Sequence, residues 1–429
     1  MTLPKLAYLT GEYPRASDTF IQREVAALRD LGHEVLTCSI RTTGPEHLVG
    51  AEQRAEHART FMVLRAAKNP LTLLGAQLRF ALRPARYARA LKLAWATAPK
   101  GLKGRLYNLI YFAEAAVLAD RLRAEGVEHL HNHIAKASCT VAMLASELSG
   151  IPFSFTIHGP DIFFEPGHWR IDEKTARARF VACISDYCRA QLMCFAAPEH
   201  WDKLHIVHCG IDPIRYDTAP HRGQTLLFVG RLAGVKGVPI LLDAVAALKE
   251  RFPGLRLALI GDGPERAALE ERAKPLGDTV VFLGYQSQDA VAEALAQSDV
   301  FVLPSFAEGV PVVLMEAMAA GVPVIHVRST LRKGGVDDIA GIPSAWRRVF
   351  PLHVGPIPNS DGHAIEGSRW TEFVTEVDDR DLVVSGKKRL SAFYPTDLDF
   401  LLRNMGVEAL ILNGCLADCC VLNTAFDGS

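Results

Sequence analysis

Two cationic residues in the second half of the chain have the types and the spacing that bind a phosphate group. Arg231 follows a short apolar run at 226–229, and Lys236 comes shortly afterwards, before a helical segment. A guanidinium can hold two phosphate oxygens at once, and an ammonium adds a compact positive charge. Located after one predicted strand, this pair predicts a site for a nucleotide diphosphate.

A second group of candidate residues surrounds Gly309, before a helix expected to begin near Val312. Glycine lets the backbone approach an anion closely, and the free N–H groups of a helix N-terminus attract negative charge. Glu308 and Glu316 are about two helical turns apart, so one carboxylate can meet a sugar while the other reaches further along. Each motif alone is usually a turn or a solvated side chain, but four of them follow successive predicted strands, at 230–237, 261–265, 282–284 and 304–311.

These residues need parallel sheets to bring them together. Short apolar runs alternate with helical segments from residue 6 to 207, and again from 226 to 327. Such alternation is typical of doubly wound α/β domains, and the Pro-, Asp- and Gly-containing stretch at 212–224 indicates a linker. The sequence therefore predicts two Rossmann-like domains, with ligands bound in the cleft at the carboxyl ends of the strands.

Composition excludes several classes of protein. The 429 residues are 49% hydrophobic and 22% charged, which excludes wholesale disorder. No run of 18 apolar residues exists to span a bilayer. The nine cysteines show no C-x-x-C pair, and no secretory signal is visible, so we expect a cytoplasmic protein with free thiols.

One basic block stands out against an almost neutral chain. From 59 to 113 there are 11 Lys and Arg residues and no Asp or Glu, although the chain as a whole carries 47 cations and 48 acids. Pro70, Pro84 and Pro99 divide residues 59–105 into short helices with interleaved apolar side chains. Basic amphipathic helices favour an anionic membrane surface. Nucleic acid and a simple solvated face are the alternatives, and we predict peripheral association with the inner face of the membrane and no nucleic-acid partner.

Residues 1 to about 325 resemble the GT-B glycosyltransferases of the family-4 type, found in exopolysaccharide pathways. The residues that carry the resemblance are Tyr8 to Pro14, Asp18 to Ile21, Glu24, His131 to His133, His158 to Asp161, Gly230 to Leu232, Lys236, Gly237 and Glu308 to Gly321.

The resemblance implies transfer of a sugar from an NDP-sugar to an exopolysaccharide or lipid-linked acceptor, with retention and without an obligatory metal or a further cofactor. Arg231 and Lys236 would contact the diphosphate, and Glu316 the ribose. His158 would lie beside the sugar ring. The full donor-binding set that the resemblance implies is Gly11, Arg231, Lys236, Glu308, Gly309, Val310 and Glu316, with His158 and Glu308 as catalytic residues.

Three histidines alternate along one predicted strand and could suggest a metal site. They are His129, His131 and His133. We favour the other interpretation, in which one histidine packs near the cleft and the others are satisfied by local hydrogen bonds, and we predict no metal.

From residue 326 onwards the chain resembles the isochorismatase-like cysteine hydrolases. The resemblance rests on residues 381–384, 387, 391–393, 396–398, 401–402, 406–407, 410–414, 418–421 and 424–425. It implies that Cys420 is the nucleophile at a helix start and that Lys387 favours its thiolate. That family's catalytic Asp has no counterpart here, so we expect this hydrolase activity to be absent.

The predicted organisation is therefore α/β throughout, in three parts. Residues 1–212 form the acceptor-side Rossmann-like domain, 225–325 an incomplete donor domain, and 326–429 a partial isochorismatase-like segment whose strands near 382 and 410 could extend the second sheet. We expect a chimera of two families. A glycosyltransferase is the favoured function; the alternatives are a cysteine hydrolase acting on amide or vinyl-ether substrates, and an inactive chimera that keeps nucleotide binding.

Overall fold

The computed structural model describes most of the first 320 residues and several shorter pieces beyond them. The described residues are 3–158, 165–216, 224–305, 312–320, 325–329, 382–387, 392–393, 396, 398–404 and 424.

The first sheet has seven parallel strands, which follow the predicted apolar runs. They are β1 (Leu6–Glu12), β2 (Val35–Arg41), β3 (Phe61–Met62), β4 (His129–His133), β5 (Phe153–Ile157), β6 (Val181–Cys183) and β7 (Leu204–Ile206). Their order is β3-β2-β1-β4-β5-β6-β7. The chain adds strands on one side of β1 and then crosses to the other, so the strand order reverses between β1 and β4. Ligands of such sheets bind at this reversal, beyond the carboxyl ends of the strands.

The helices of the first domain are α1 (Thr19–Asp30), α2 (Ala51–Arg59), α3 (Val63–Ala67), α4 (Pro70–Ala81), α5 (Pro84–Ala96), α6 (Leu102–Ala124), α7 (Ala137–Ser149), α8 (Pro166–Trp169), α9 (Ile171–Arg177) and α10 (Asp186–Met193). Pro70 and Pro84 occupy the first position of α4 and α5, where a missing N–H costs nothing. The Asn69 side chain caps α4 by accepting from the N–H groups of Leu71 and Thr72. The division of the basic block into short helices is thus confirmed.

Asp18 precedes α1 but does not cap it. Its carboxylate makes no hydrogen bond to the N–H groups of the helix. It accepts instead from the hydroxyl of its neighbour Ser17, at 2.9 Å. The backbone of Asp18 is not extended, with φ −112° and ψ 45°, so it departs from the conformation typical of a capping residue.

The second sheet has four parallel strands, and its strand order also reverses once. Its strands are β8 (Thr225–Val229), β9 (Arg256–Ile260), β10 (Val280–Gly284) and β11 (Val300–Phe301), in the order β10-β9-β8-β11. The helices are α11 (Val238–Leu248), α12 (Arg266–Ala273), α13 (Gln288–Ala296) and α14 (Val312–Ala319). The reversal lies between β8 and β11, which are the strands that lead to Arg231 and to the segment before α14. The α/β prediction of two Rossmann-like sheets is confirmed.

A glycine makes the two loops at this second reversal meet. Gly237 has φ +65°, and a Cβ there would lie 2.1 Å from the carbonyl oxygen of Pro304. Only a residue without a side chain fits this close approach. The loop that carries Arg231 and Lys236 therefore packs directly on the residues that follow β11.

The last described elements form a separate small unit. Strand β12 (Ile325–Ser329) pairs in parallel with β13 (Leu382–Lys387), and α15 (Leu398–Asn404) packs near them. The strand expected near 382 is present, but in the described structure it pairs with β12 rather than extending the four-stranded sheet. The strand expected near 410 lies outside the described residues. The predicted domain boundary at 325 stays a prediction.

Across the part of the chain that the structure describes, no helix combines the length and the hydropathy needed to cross a membrane.

Candidate functional site

A buried and a half-buried histidine lie at the carboxyl ends of β4 and β5, beside the strand reversal of the first sheet. Nδ1 of His133, the last residue of β4, is 2.9 Å from Nε2 of His158, which follows β5. One ring must donate this hydrogen bond and the other accept it. The Phe20 ring, at the start of α1, packs on His158 with ring centres 4.6 Å apart. The structure thus places His158, the predicted sugar-facing residue, at the expected edge of the sheet.

A carboxylate from α1 completes this cluster. Glu24 accepts a hydrogen bond from the Tyr8 hydroxyl at 2.6 Å, and its second oxygen lies 3.5 Å from Nε2 of His133. Burial alone would raise the pKa of Glu24, but the hydrogen bond and charge of His133 lower it to about 2. Glu24 is therefore ionised near neutral pH and orients the His133 ring.

The neighbouring imidazoles are neutral near pH 7. Burial lowers the pKa of His131 to about 3, and the proximity of His133 adds to this effect. Burial and the same neighbour hold the pKa of His158 well below its usual range. A neutral His158 can exchange hydrogen bonds with a sugar hydroxyl without adding a charge to the site.

Glu24, His131 and His133 are also the residues that could hold a metal ion, since one ligand atom from each lies within 4.8 Å of the others. Both nitrogens of His131 already contact hydroxyls, Ser154 Oγ at 2.7 Å and Thr156 Oγ1 at 2.8 Å. His129 also lies 2.7 Å from Ser154 Oγ. These contacts agree with the interpretation of local hydrogen bonding, and the absence of a metal stays a prediction.

The predicted phosphate-binding residues lie at the carboxyl edge of the second sheet. Arg231 is exposed in the loop after β8, and Lys236 is half-buried in the same loop. The positive charge of Arg231 acts on Tyr285, which follows β10. Across the cleft, Gly11 lies in β1, where an added Cβ would meet no described atom within 4 Å. Gly11 therefore leaves open space at the end of β1.

Glu316, the predicted ribose-binding residue, forms an ion pair with a residue of the first domain. The Arg23 guanidinium from α1 lies 2.6 Å from a Glu316 carboxylate oxygen in α14. It also donates to Gln288 Oε1 at 2.9 Å and to the Tyr216 hydroxyl at 3.3 Å. Since α1 follows β1 and α14 follows β11, this contact shows that the carboxyl edges of the two sheets face each other.

Sequence reasoning missed two arginines of the cleft. Arg23 contacts Glu316 from 293 residues away, and its only sequence signal is its place beside Glu24. Arg15, in the loop after β1, lies close to Tyr285. Burial raises the pKa of the Tyr285 hydroxyl, and the charge of Arg15 offsets part of that increase. Both residues come from the first domain but act on side chains of the second, which no local pattern indicates.

Several predicted site residues lie outside the described residues. They are Glu308, Gly309, Val310 and Cys420. Lys387, the other predicted hydrolase residue, is buried at the end of β13. The isochorismatase-like resemblance of 326–429 and the roles of Lys387 and Cys420 therefore stay predictions.

Two family models match the chain, one on each side of the linker. The model described as Glycosyltransferase Family 4 matches residues 18–215, and the one described as Glycosyl transferases group 1 matches residues 223–341. The chain is a family 4 type, group 1 glycosyltransferase. The second match continues past the predicted boundary at 325 into the start of the segment assigned to a cysteine hydrolase.

Curated relatives agree with this family over most of their length. WcaL of Salmonella typhimurium, named for colanic acid biosynthesis, is 27% identical over 394 residues, which cover 86% of this chain and 90% of the relative. The amylovoran biosynthesis glycosyltransferase AmsK of Erwinia amylovora is 26% identical, covering 75% of this chain and 82% of the relative.

Solved structures show the same fold. HepE of Anabaena, crystallised with UDP and glucose, has a TM-score of 0.53 and 19% identity, covering 76% of this chain and 81% of that one. Sucrose-phosphate synthase of Thermosynechococcus elongatus has a TM-score of 0.54 and 17% identity, and the match covers 94% of this chain and 90% of the synthase chain. This family 4 type glycosyltransferase therefore has the α/β GT-B fold.

Proposed function

We propose that this glycosyltransferase transfers a sugar from an NDP-sugar to an exopolysaccharide or lipid-linked acceptor, with retention at the anomeric carbon. The observation that supports this most directly is the Arg23–Glu316 contact, because it makes the two carboxyl edges the walls of one cleft. Arg231 and Lys236 stand on one side of this cleft and His158 on the other. The exopolysaccharide assignment rests on relatives named for colanic acid and amylovoran biosynthesis.

The proposed chemistry is mainly electrostatic. As the bond between the anomeric carbon and the diphosphate oxygen breaks, its electron pair leaves with the nucleotide. An acceptor hydroxyl oxygen bonds to the same face of the anomeric carbon and gives its proton to the departing diphosphate. Arg231 and Lys236 would stabilise the negative charge that develops on the departing diphosphate. His158, Glu308 and the glycine backbone at 309 would face the sugar, with Gly11 and Val310 completing the donor site and Glu316 holding the ribose.

Calorimetric titration with UDP and GDP tests the donor site. We expect one of the two nucleotides to bind, and we expect Arg231→Ala and Lys236→Ala each to weaken binding about tenfold or more, since each removes a charge-assisted contact. Lys249→Ala is a matched control, because Lys249 contacts the carbonyl oxygen of Pro275 on the surface of the same domain. A Lys236→Ala variant that bound nucleotide as well as the wild type would remove the basis of the assignment.

We further propose that residues 59–105 bind an anionic membrane surface on the cytoplasmic side. Helix α4 exposes a leucine stripe at three- and four-residue spacing, consisting of Leu71, Leu74, Leu78 and, just beyond the helix, Leu82, each between 58% and 83% exposed. Apolar side chains flanked by cations are typical of helices that lie in a membrane interface. Several cations of this block are neutralised within the protein, since Arg79 pairs with Asp120 and Arg89 with Glu147.

Co-sedimentation with vesicles tests this surface. We expect more binding to phosphatidylglycerol than to phosphatidylcholine vesicles, and we expect Leu74→Glu with Leu78→Glu to lower binding at least about fivefold, because each substitution removes apolar burial and adds repulsion. Leu31→Glu is the control, since Leu31 is equally exposed but lies after α1. Equal sedimentation with the two lipids would refute the electrostatic part of the proposal.

A further inference from the structure

A cavity of about 640 Å³ lies in the first domain, apart from the histidine cluster. The connection between α5 and α6 contributes Lys100 to one wall, and α6 adds Lys103, Tyr107, Asn108 and Tyr111. The start of α7 and helix α8 close the other side with Thr140 and Trp169. The volume is in the range of small-molecule sites.

The walls of this cavity come from the same sheet edge as the proposed active site. Thr140 is in the first turns of α7, which follows β4, and Trp169 ends α8, the first described helix after β5 and His158. Both connections leave the carboxyl ends of their strands. The cavity therefore lies on the side of the first domain where we expect the acceptor.

Buried contacts fix the walls in place. The Lys174 ammonium lies 5.7 Å from the centre of the Trp169 ring and donates to the carbonyl oxygens of Ala135 and Lys136, each at 2.9 Å. The amide nitrogen of Asn108 donates to the Ala94 carbonyl oxygen at 2.8 Å. Fixed aromatic rings beside amide and hydroxyl groups suit a sugar, whose C–H faces pack on rings while its hydroxyls form hydrogen bonds.

Two lysines, Lys100 and Lys103, line the cavity. Lys100 and Lys103 form no ion pair with a described acidic residue, in contrast to Arg79 and Arg89 of the same basic block. An ammonium without a carboxylate partner attracts a phosphate or another anion. These lysines would therefore favour a ligand with a negative charge next to its sugar.

An apolar face continues from the mouth of the cavity along α6. Leu102, Leu106 and Ile110 are spaced four residues apart and are 84%, 60% and 42% exposed. Side chains at this spacing share one face of a helix. Lys103 and Tyr107 are interleaved with them, so the anionic group of a ligand in the cavity would lie close to an apolar surface.

We propose that this cavity binds the glycosyl phosphate head of a lipid-linked acceptor, with the lipid chain lying along Leu102, Leu106 and Ile110. Lys100 and Lys103 contact the phosphate, and Tyr107, Tyr111 and Trp169 pack on the sugar. The inference rests on the proposed glycosyltransferase function, of which it names the acceptor class and the acceptor site.

Calorimetric binding to the full chain tests the proposal with two probes. Glucosyl phosphoryl farnesol carries a sugar, one phosphate and a lipid, and glucose 1-phosphate has the same sugar and phosphate without the lipid. We expect the lipid-linked probe to bind at least about tenfold more tightly, because its prenyl chain buries apolar surface. The double variant Lys100→Gln with Lys103→Gln should weaken both probes about tenfold, and Tyr107→Ala about fivefold through lost packing.

The matched control removes the same charge from the same block. Lys68→Gln with Lys92→Gln changes two exposed lysines that do not line the cavity, so affinity for both probes should stay within about twofold of the wild type. Equal losses in the two double variants would mean a general charge effect and would overturn the proposed site. Equal binding of the two probes would overturn the lipid assignment.

Nucleotide titration of the same samples separates this inference from the proposed function. If the wild type binds UDP or GDP, but the double variant Lys100→Gln with Lys103→Gln binds the lipid-linked probe as tightly as the wild type, only the proposed acceptor site is refuted. A protein that binds neither nucleotide refutes the proposed donor chemistry.

Discussion

The contact between Arg23 and Glu316 gives a quantitative test of the cleft. The two side chains are only 16% and 8% exposed, and their nearest atoms are 2.6 Å apart. Two unit charges at about 4 Å attract by about 4 kcal/mol at an effective dielectric constant of about 20. Removing one partner leaves the other poorly hydrated, so Arg23→Met or Glu316→Gln alone should lower the free energy of unfolding by about 3 kcal/mol.

The measurement is a double-mutant cycle. Guanidinium unfolding of the wild type, the two single variants and the double variant should give a coupling free energy of about 2–3 kcal/mol, since residues in direct contact are not additive. The exposed pair of Arg79 and Asp120 is the control, and a cycle with Arg79→Met and Asp120→Asn should couple by less than about 1 kcal/mol. A coupling below about 0.5 kcal/mol for Arg23 and Glu316 would refute the facing arrangement of the two sheets.

Three further predictions concern single side chains. Burial raises the pKa of Glu114 to about 7 from 4.5, so the stability that the protonated carboxyl contributes is full below pH 4.5 and is lost as pH rises through 7. Glu114→Gln, which cannot ionise, should therefore gain up to about 3 kcal/mol of stability relative to the wild type between pH 5 and pH 8. A pH-independent difference between the two proteins would contradict this prediction. Lys174→Met should lower the free energy of unfolding by about 2–3 kcal/mol, since one buried and one partly buried carbonyl oxygen lose their donor. A denaturant midpoint equal to that of the wild type would count against this prediction. His158→Ala should lower kcat at least about tenfold and leave nucleotide affinity within about twofold, because His158 is proposed to face the sugar; calorimetry showing an equal loss of nucleotide affinity would place it elsewhere.

Much of the fold could be predicted because local burial leaves a periodic trace in the sequence. The strands β1, β4, β5 and β8 to β10 lie where apolar runs occur, and the prolines at 70 and 84 begin α4 and α5. The polar residues His131 and His133 interrupt such a run, and this departure from an apolar strand correctly marks the edge of the sheet where the histidine cluster forms.

The charge pattern was a weaker guide, because a sequence does not show which cations are paired. Residues 59–113 contain no acid, yet Arg79 and Arg89 find Asp120 and Glu147 on α6 and α7. Lys100 and Lys103, which pair with no acid among the described residues, are distinguishable from Arg79 and Arg89 only in the folded chain. The same holds for the leucine stripe of α4, since a buried and an exposed helix face have the same spacing.

The sequence by itself determined that this chain has two α/β halves, where their strands end, and which residue types follow those ends. It did so because strand and helix formation depend on neighbours a few residues away. Only the tertiary structure decided that Arg23 reaches Glu316 across 293 residues and that α6 lines a cavity beside an apolar face. These contacts depend on how whole elements are placed against one another, and that placement is set by the packing of two separate cores rather than by any local pattern.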